Sequence, residues 1–189
     1  MPQHALDGIR VLDFTRVLAG PLCTMLLADL GAEVIKVENI GRGDDTRQWG
    51  PPWLGDMSAY FASVNRNKQS ITLNLKSKKG VQIARELTQD GDIVVENFKI
   101  GQMALFGLGY DDLLKINPAL VYCSITGFGQ TGSFSHYAGY DYAIQAMSGL
   151  MSITGEKDGQ PHKVGVAISD VIAGLFANTA ILSALRHAE

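Results

Sequence analysis

Residues 9–37, I-R-V-L-D-F-T-R-V-L-A-G-P-L-C-T-M-L-L-A-D-L-G-A-E-V-I-K-V, decide the fold. The Val/Ile-rich runs at 9–13 and 34–37 read as buried strands, and the apolar stretch 21–30 between them, opened by Pro21, reads as a helix. Such an order is a βαβ unit with its strands parallel. The alternation continues, with strands at 70–73, 93–95 and 120–124 and helices over 77–89, 110–116, 140–148 and 170–187. The expectation is an α/β protein: a Rossmann-like parallel sheet with helices on both faces. Residues 39–56, rich in Gly, Pro and Trp and without a period, read as a long loop after the second strand. Active-site loops of open α/β sheets lie at that edge.

The 189 residues fit one domain able to bury roughly two-thirds of its unfolded surface. With 16 basic and 19 acidic residues the net charge is -3, and no basic stripe interleaved with aromatics points to nucleic acid. Cys23 and Cys123 lack disulfide-framework or metal-ligand spacing, so buried, reduced thiols of an intracellular protein are expected, with no metal. The start M-P-Q-H-A-L-D-G has no signal-peptide pattern, and no apolar run reads as membrane-spanning. A soluble cytoplasmic or organelle-matrix protein is expected.

Asp170 lies in V-G-V-A-I-S-D-V-I-A-G-L-F-A as the lone ionisable residue from Val164 to Ala177. A carboxylate kept partly dry in this way is a stronger nucleophile than a hydrated one. The plainer reading makes Ser169 or Asp170 the N-cap of the last helix, whose apolar residues Val171, Ile172, Leu175, Phe176, Leu182 and Leu185 follow at helical spacing. The two readings are compatible.

Residues 127–132 spell G-F-G-Q-T-G, the dinucleotide fingerprint in letters. That fingerprint belongs in the first turn of a βαβ unit, and here the first turn, T-R-V-L-A-G-P, has a single glycine. The glycines therefore read as a tight, backbone-exposed turn rather than an NAD site.

Several stretches together resemble the class III (CaiB/BaiF-type) CoA-transferases, a family that also holds 2-methylacyl-CoA racemases. They are L-D-G-I-R-V-L-D-F-T-R-V-L-A-G-P from Leu6, L-A-D-L-G-A-E-V-I-K-V-E from Leu27, G-D-D-T-R from Gly43, N-R-N-K-Q-S-I from Asn65 and V-E-N-F from Val95. L-V-Y-C-S-I-T-G-F-G-Q-T-G from Leu120, A-G-Y-D from Ala138 and S-G-L-M-S-I-T-G from Ser148 complete the set, in family order. The resemblance implies transfer of coenzyme A from an acyl-CoA to a free carboxylate, with Asp170 as covalent nucleophile and no tightly bound cofactor. Tyr140 stands in A-G-Y-D where the racemases place a His, which favours transferase over racemase and leaves His136 as the only nearby imidazole.

By position in the family pattern, CoA contacts are expected from Val17 and Ala19, from Leu73, Asn74, Leu75 and Lys76, and from Asn97, Phe98 and Lys99. Asn39 and Leu105 replace basic residues of some relatives. The W-G-P-P-W loop and the A-G-Y-D and G-D-D-T-R motifs look most like the branch acting on dicarboxylates such as glutarate. Arg47 or another loop arginine is expected to hold the acceptor's remote carboxylate by a bidentate pair. The resemblance also implies that residues 1–189 are the N-terminal part of the large domain, with the family's small domain and return segment absent. Such a chain is expected to form a homodimer or to need a second polypeptide, and to turn over little alone. A non-catalytic CoA-binding or assembly module is the alternative.

Overall fold

The computed structural model describes residues 4–188. In chain order it holds β1 (Arg10–Asp13), α1 (Ala19–Asp29), β2 (Glu33–Glu38), a hairpin of β3 (Trp53–Leu54) and β4 (Met57–Ser58), and α2 (Ala59–Ser63). Then come β5 (Lys68–Thr72), α3 (Lys78–Gln89), β6 (Ile93–Glu96), α4 (Gln102–Leu105), α5 (Tyr110–Leu114), β7 (Val121–Ser124), α6 (Asp141–Met147) and α7 (Ile168–Ala188). Five strands pair in the order β5-β2-β1-β6-β7, all parallel. The expected Rossmann-like arrangement is present.

Strand alternation sends side chains to two cores. Val11, Val34, Ile93 and Val95 face α1 and α7, meeting Cys23, Leu27 and Ile181. Leu12, Val37 and Val94 face the other way, toward Ala84 of α3, Met103 of α4 and Leu113 of α5. Burying each such aliphatic side chain contributes about 1.5–3 kcal/mol. Helix α3 lays Val81, Ala84 and Leu87 on that second core, and Ser77 caps it, its Oγ accepting from Gly80 N at 3.0 Å.

The strand expected at 70–73 begins earlier, at Lys68. Its first residue is no apolar signal because Lys68 Nζ lies inside the protein, 3.0 Å from Asp13 Oδ2 and bonded to Pro21 O at 2.8 Å and Asn65 Oδ1 at 2.9 Å. Lys36 of β2 is likewise buried, with Nζ 3.0 Å from Asp44 Oδ2 and donating to Thr15 O at 2.8 Å. Two carboxylates and two ammonium groups thus form a layer between the carboxyl end of the sheet and α1. Burial works against the Asp13 charge, but Lys68, Lys36 and the hydroxyls of Thr15 and Thr24 outweigh it and hold this carboxyl far below the ordinary range.

The loop expected over 39–56 contains a 3-10 turn at Asp45–Gln48 and the first hairpin strand. Cys23 is buried, whereas Cys123 is only half-buried, which corrects the expectation for the second thiol; both are free. The expectation about apolar runs is also corrected, since α7 spans 21 residues and is long and apolar enough to cross a membrane. It is instead seated on α1 and β7, with Asn178 Nδ2 donating to Cys23 O at 3.2 Å, a polar contact suited to a layer helix.

Candidate active site

Because all five strands run the same way, the segments following β1, β5, β6 and β7 gather at one edge of the sheet. Strand β1 leads to β2 on one side and borders β6 on the other, so the crevice of this fold opens between the turns after β1 and β6. Two sequence-predicted regions meet there. Asn97 Oδ1 accepts from Arg16 N at 3.0 Å, and Asn97 Nδ2 donates to Arg16 O at 2.7 Å. Arg16 also lies over the Phe98 ring, 5.2 Å from its centroid.

Asp170 reaches the same edge by helix register. Gly174 meets Ala19 of α1, and Asn178, four residues on, bonds Cys23, also four residues on. The two helices are therefore parallel and in step. Gly174 thus faces the first residue of α1, and Asp170, one turn earlier in α7, lies toward the β1–α1 turn.

The N-cap expectation fails at Asp170 and Ser169. The last helix begins at Ile168, and the acceptor at its start is Asp141, whose Oδ1 takes Ser169 N at 2.8 Å and Asp170 N at 3.2 Å. Its other oxygen, Oδ2, accepts from Gln145 Nε2 at 2.6 Å. Gln145, fully buried, also accepts Val164 N at 2.8 Å through Oε1, pinning the approach to α7 onto α6. Asp170 is released from capping its own helix. Burial first, and the Asp141 charge second, push its carboxyl up to about 6.

Tyr140 sits at the N-cap of α6 with 77% of its surface exposed, next in sequence to Asp141. Tyr60 of α2, which the sequence reading did not single out, has its hydroxyl raised by burial first and then by the charges of Asp170, Asp141 and Asp44. Trp49 meets it edge-on at 5.3 Å. His136 stacks instead on Tyr137 at 4.4 Å.

The remaining predicted contacts divide by burial. Ala19 is buried and Val17 half-buried in the β1–α1 turn. Leu73 and Leu75 turn into the second core, while Asn74 and Lys76 are exposed, with Asn74 Oδ1 accepting Lys76 N at 3.0 Å. Phe98 packs into that core and Lys99 is exposed. Beside them an open groove of about 770 Å³ along α3 is bordered by Lys76, Lys78, Arg85, Glu86, Leu105 and Phe106. Arg47, one of the loop arginines considered for the acceptor, is engaged within the protein. Its Nε and Nη2 are bound to Glu38 at 2.7 and 2.6 Å, and its guanidinium lies 3.8 Å over Phe61.

The G-F-G-Q-T-G segment follows edge strand β7 and opens no helix until α6. Gly129 and Gly132 adopt φ 79 and 99, and Gly127 lies against the Gly139 backbone too closely for any Cβ. Tight turn geometry accounts for all three.

The fold and the site define an α/β protein of Rossmann-like topology with a desolvated acid, Asp170, near the carboxyl edge of its parallel sheet. The chain belongs to CoA-transferase family III, whose sequence model matches residues 6–189. It is 58% identical over 180 residues to a succinyl-CoA:glutarate CoA-transferase of Mus musculus, covering 95% of this chain and 41% of that protein. To a succinate–glutarate CoA-transferase of Agrobacterium fabrum it is 52% identical, covering 97% of this chain and 47% of the relative. A crystal structure of a CaiB/BaiF family protein from Brucella suis superposes with a TM-score of 0.95 at 48% identity, over 98% of this chain and 50% of that one. The chain spans about half the length of the curated relatives it matches.

Proposed function

We propose that the protein moves coenzyme A from an acyl-CoA to a free carboxylic acid, with Asp170 as the covalent nucleophile. The observation that carries this reading is the freed and desolvated Asp170 carboxyl at the start of α7, raised to about 6 and lying toward the β1–α1 turn. An acid of that strength is ionised at neutral pH, yet more basic than a hydrated aspartate.

Asp170 attacks the thioester carbonyl, and the C–S bond breaks to give an aspartyl mixed anhydride and CoA thiolate. The thiolate attacks the aspartyl carbonyl, expelling the donor acid as a carboxylate and leaving an aspartyl-CoA thioester. The acceptor carboxylate repeats these steps in reverse. Charge and atoms balance without a metal or redox partner. No side chain caps α1, so the N–H groups of Ala19 and Gly20, ahead of Pro21, which has none, are the proposed donors to the developing oxyanion. Tyr140 and Tyr60 are the proposed hydroxyl donors.

The similarity to glutarate-utilising transferases supports a dicarboxylate acceptor, with acyl-CoA as substrate and no tightly bound cofactor. Asn97, Phe98, Lys99 and the segment 73–76 are the proposed CoA-side residues. Tyr140 at the position of the racemase imidazole keeps transfer ahead of racemisation. The exposed Ile172, Leu175 and Phe176 on α7 support association with a second copy of the chain or another polypeptide. We place the 189 residues in the N-terminal part of a large domain, and the protein in the cytoplasm or an organelle matrix. Steady-state turnover by residues 1–189 alone is slight on this reading.

The test is incubation with succinyl-CoA followed by intact mass. An adduct that disappears in Asp170→Ala supports the reading. CoA binding without an adduct favours a binding module, and an adduct that survives the substitution places the nucleophile elsewhere.

A further inference from the structure

Arg47 serves two partners at once. Its Nε and Nη2 donate to the two oxygens of Glu38 at 2.7 and 2.6 Å, while the flat face of the guanidinium lies 3.8 Å from the centroid of the Phe61 ring. A planar, forked cation meets a carboxylate edge-on and an aromatic ring face-on, which an ammonium cannot do together. Glu38 is a fixed anchor, since Ser70 Oγ and Asp44 N also donate to it. Arg47 therefore acts as a strut from the end of β2 to α2.

Helix α2 depends on such ties. Its five residues, Ala59–Ser63, are too few to be held by their own hydrogen bonds. The other ties also end on Phe61. Asn65 Nδ2 donates to Phe61 O at 2.9 Å, and Ser58 Oγ accepts Phe61 N at 3.4 Å while donating to Trp49 O at 2.8 Å. One residue back stands Tyr60, which Trp49 meets edge-on at 5.3 Å. The loop that carries Arg47 and Trp49 thus touches two consecutive residues of α2. The far side of α2 is joined to the start of α1, because Lys68 Nζ donates both to Asn65 Oδ1 at 2.9 Å and to Pro21 O at 2.8 Å.

We propose that Arg47 is a positioning residue for Tyr60: braced on Glu38, it fixes Phe61 and, through α2 and Trp49, sets where the Tyr60 hydroxyl is presented beside the start of α1. Its fork and its face are both occupied within the protein, so it acts through Phe61 rather than on the acceptor. This inference rests on the reading of Tyr60 as a hydroxyl donor and names what holds it there.

The experiment follows adduct formation at Asp170 by intact mass over a range of succinyl-CoA concentrations. The 189-residue chain is compared with Arg47→Met, Phe61→Leu, Tyr60→Phe and the double variant Arg47→Met with Tyr60→Phe. NMR of ring-labelled tyrosine reads the Trp49–Tyr60 contact in the same proteins. Tyr60→Phe should slow the saturating rate about ten-fold or more. Arg47→Met should slow it about ten-fold by misplacing that hydroxyl, weaken the ring contact, and leave the half-saturating concentration within about two-fold of the parent. Phe61→Leu spares the pair with Glu38 and should reproduce that loss. The double variant should be no slower than Tyr60→Phe, because a residue that acts through Tyr60 has nothing left to position. Should Arg47→Met not fold, Arg47→Lys, which keeps the cation and loses the planar fork, takes its place.

Losses that multiply in the double variant, or a fast Phe61→Leu beside a slow Arg47→Met, mean that Arg47 works on the substrate directly and overturn the proposal. A Trp49–Tyr60 contact unchanged in Arg47→Met overturns it whether or not an adduct forms. If the parent forms no adduct, or Tyr60→Phe keeps the parent rate, the functional reading of the site fails, and the ring contact still decides whether Arg47 holds Tyr60.

Discussion

Gly174 and Ala19 are in backbone contact: a Cβ on Gly174 would stand 2.6 Å from the Ala19 carbonyl oxygen. A carbonyl inside a helix cannot step aside as a flexible side chain can. Gly174→Ala should therefore separate α7 from α1 and cost about 2 kcal/mol, as overpacking does. Thermal unfolding reads the loss, and the rate of adduct formation at Asp170 should fall with it. An unchanged melting temperature would disprove the close approach.

Asp170 predicts a stability profile. Its carboxyl is raised from the ordinary 3.8 to about 6, so folding favours its protonated form. The stability this gives is fully present below 3.8 and is lost as the pH rises through about 6. Asp170→Asn should be more stable than the parent by about 1–2 kcal/mol at pH 8, after allowance for partial solvation, and should show no gain near pH 4. Urea denaturation at both pH values measures this. A variant less stable at pH 8 would remove the desolvated carboxylate.

Asp141 separates capping from charge. Asn at this position keeps an acceptor for Ser169 N and Asp170 N but drops the negative charge that contributes to the Asp170 shift. Asp141→Asn should hold the helix start while the Asp170 midpoint moves down from about 6, followed by carboxyl NMR or by the pH dependence of adduct formation. An upward movement would contradict the coupling between the two acids.

The ammonium of Lys68 faces Asp13 in a dry layer. Lys68→Met leaves the acid with its other partners but without this one, and should cost about 3–5 kcal/mol. Adding Asp13→Asn should return part of that, because the uncompensated charge is then gone. Denaturant titration of the single and double variants decides it; additive losses would argue against direct pairing.

Glu38 makes the fold acid-sensitive. Burial opposes its charge, but Arg47, Ser70 and the Asp44 N–H bring its carboxyl from 4.5 down to about 2. That stability is present above 4.5 and lost as the pH falls toward 2. Removing the strongest partner with Arg47→Met should move acid unfolding to higher pH, monitored by circular dichroism. If the acid midpoint stays put, Arg47 is free of Glu38 and available to a ligand after all.

The βαβ alternation was legible because periodicity and turn chemistry act within a few residues of chain. Residues 9–37 carry two apolar strands with a helix between them, and they fold as such, the helix beginning at Ala19, two residues before the expected Pro21. The isolation of Asp170 in an apolar run was equally local, and the motif order was sufficient to place the chain near its family. The start of β5 was hidden because Lys68, polar in sequence, is buried by partners up to 55 residues away. The hairpin, α2 and α4 are too short to build a period.

By itself the sequence determined the five strands of the sheet to within a few residues and the longer helices, that the sheet is parallel, and which acid is set apart. Only the tertiary structure decided that Asp141 rather than Ser169 or Asp170 caps α7, that Arg47 turns inward onto Glu38, and that Val17 adopts a left-handed φ of 71 with its N–H donated to Asp44. The physical reason is range. Hydrophobic period is set by neighbours along the chain, whereas a buried charge or a strained φ exists only when groups many residues apart arrive together to satisfy it.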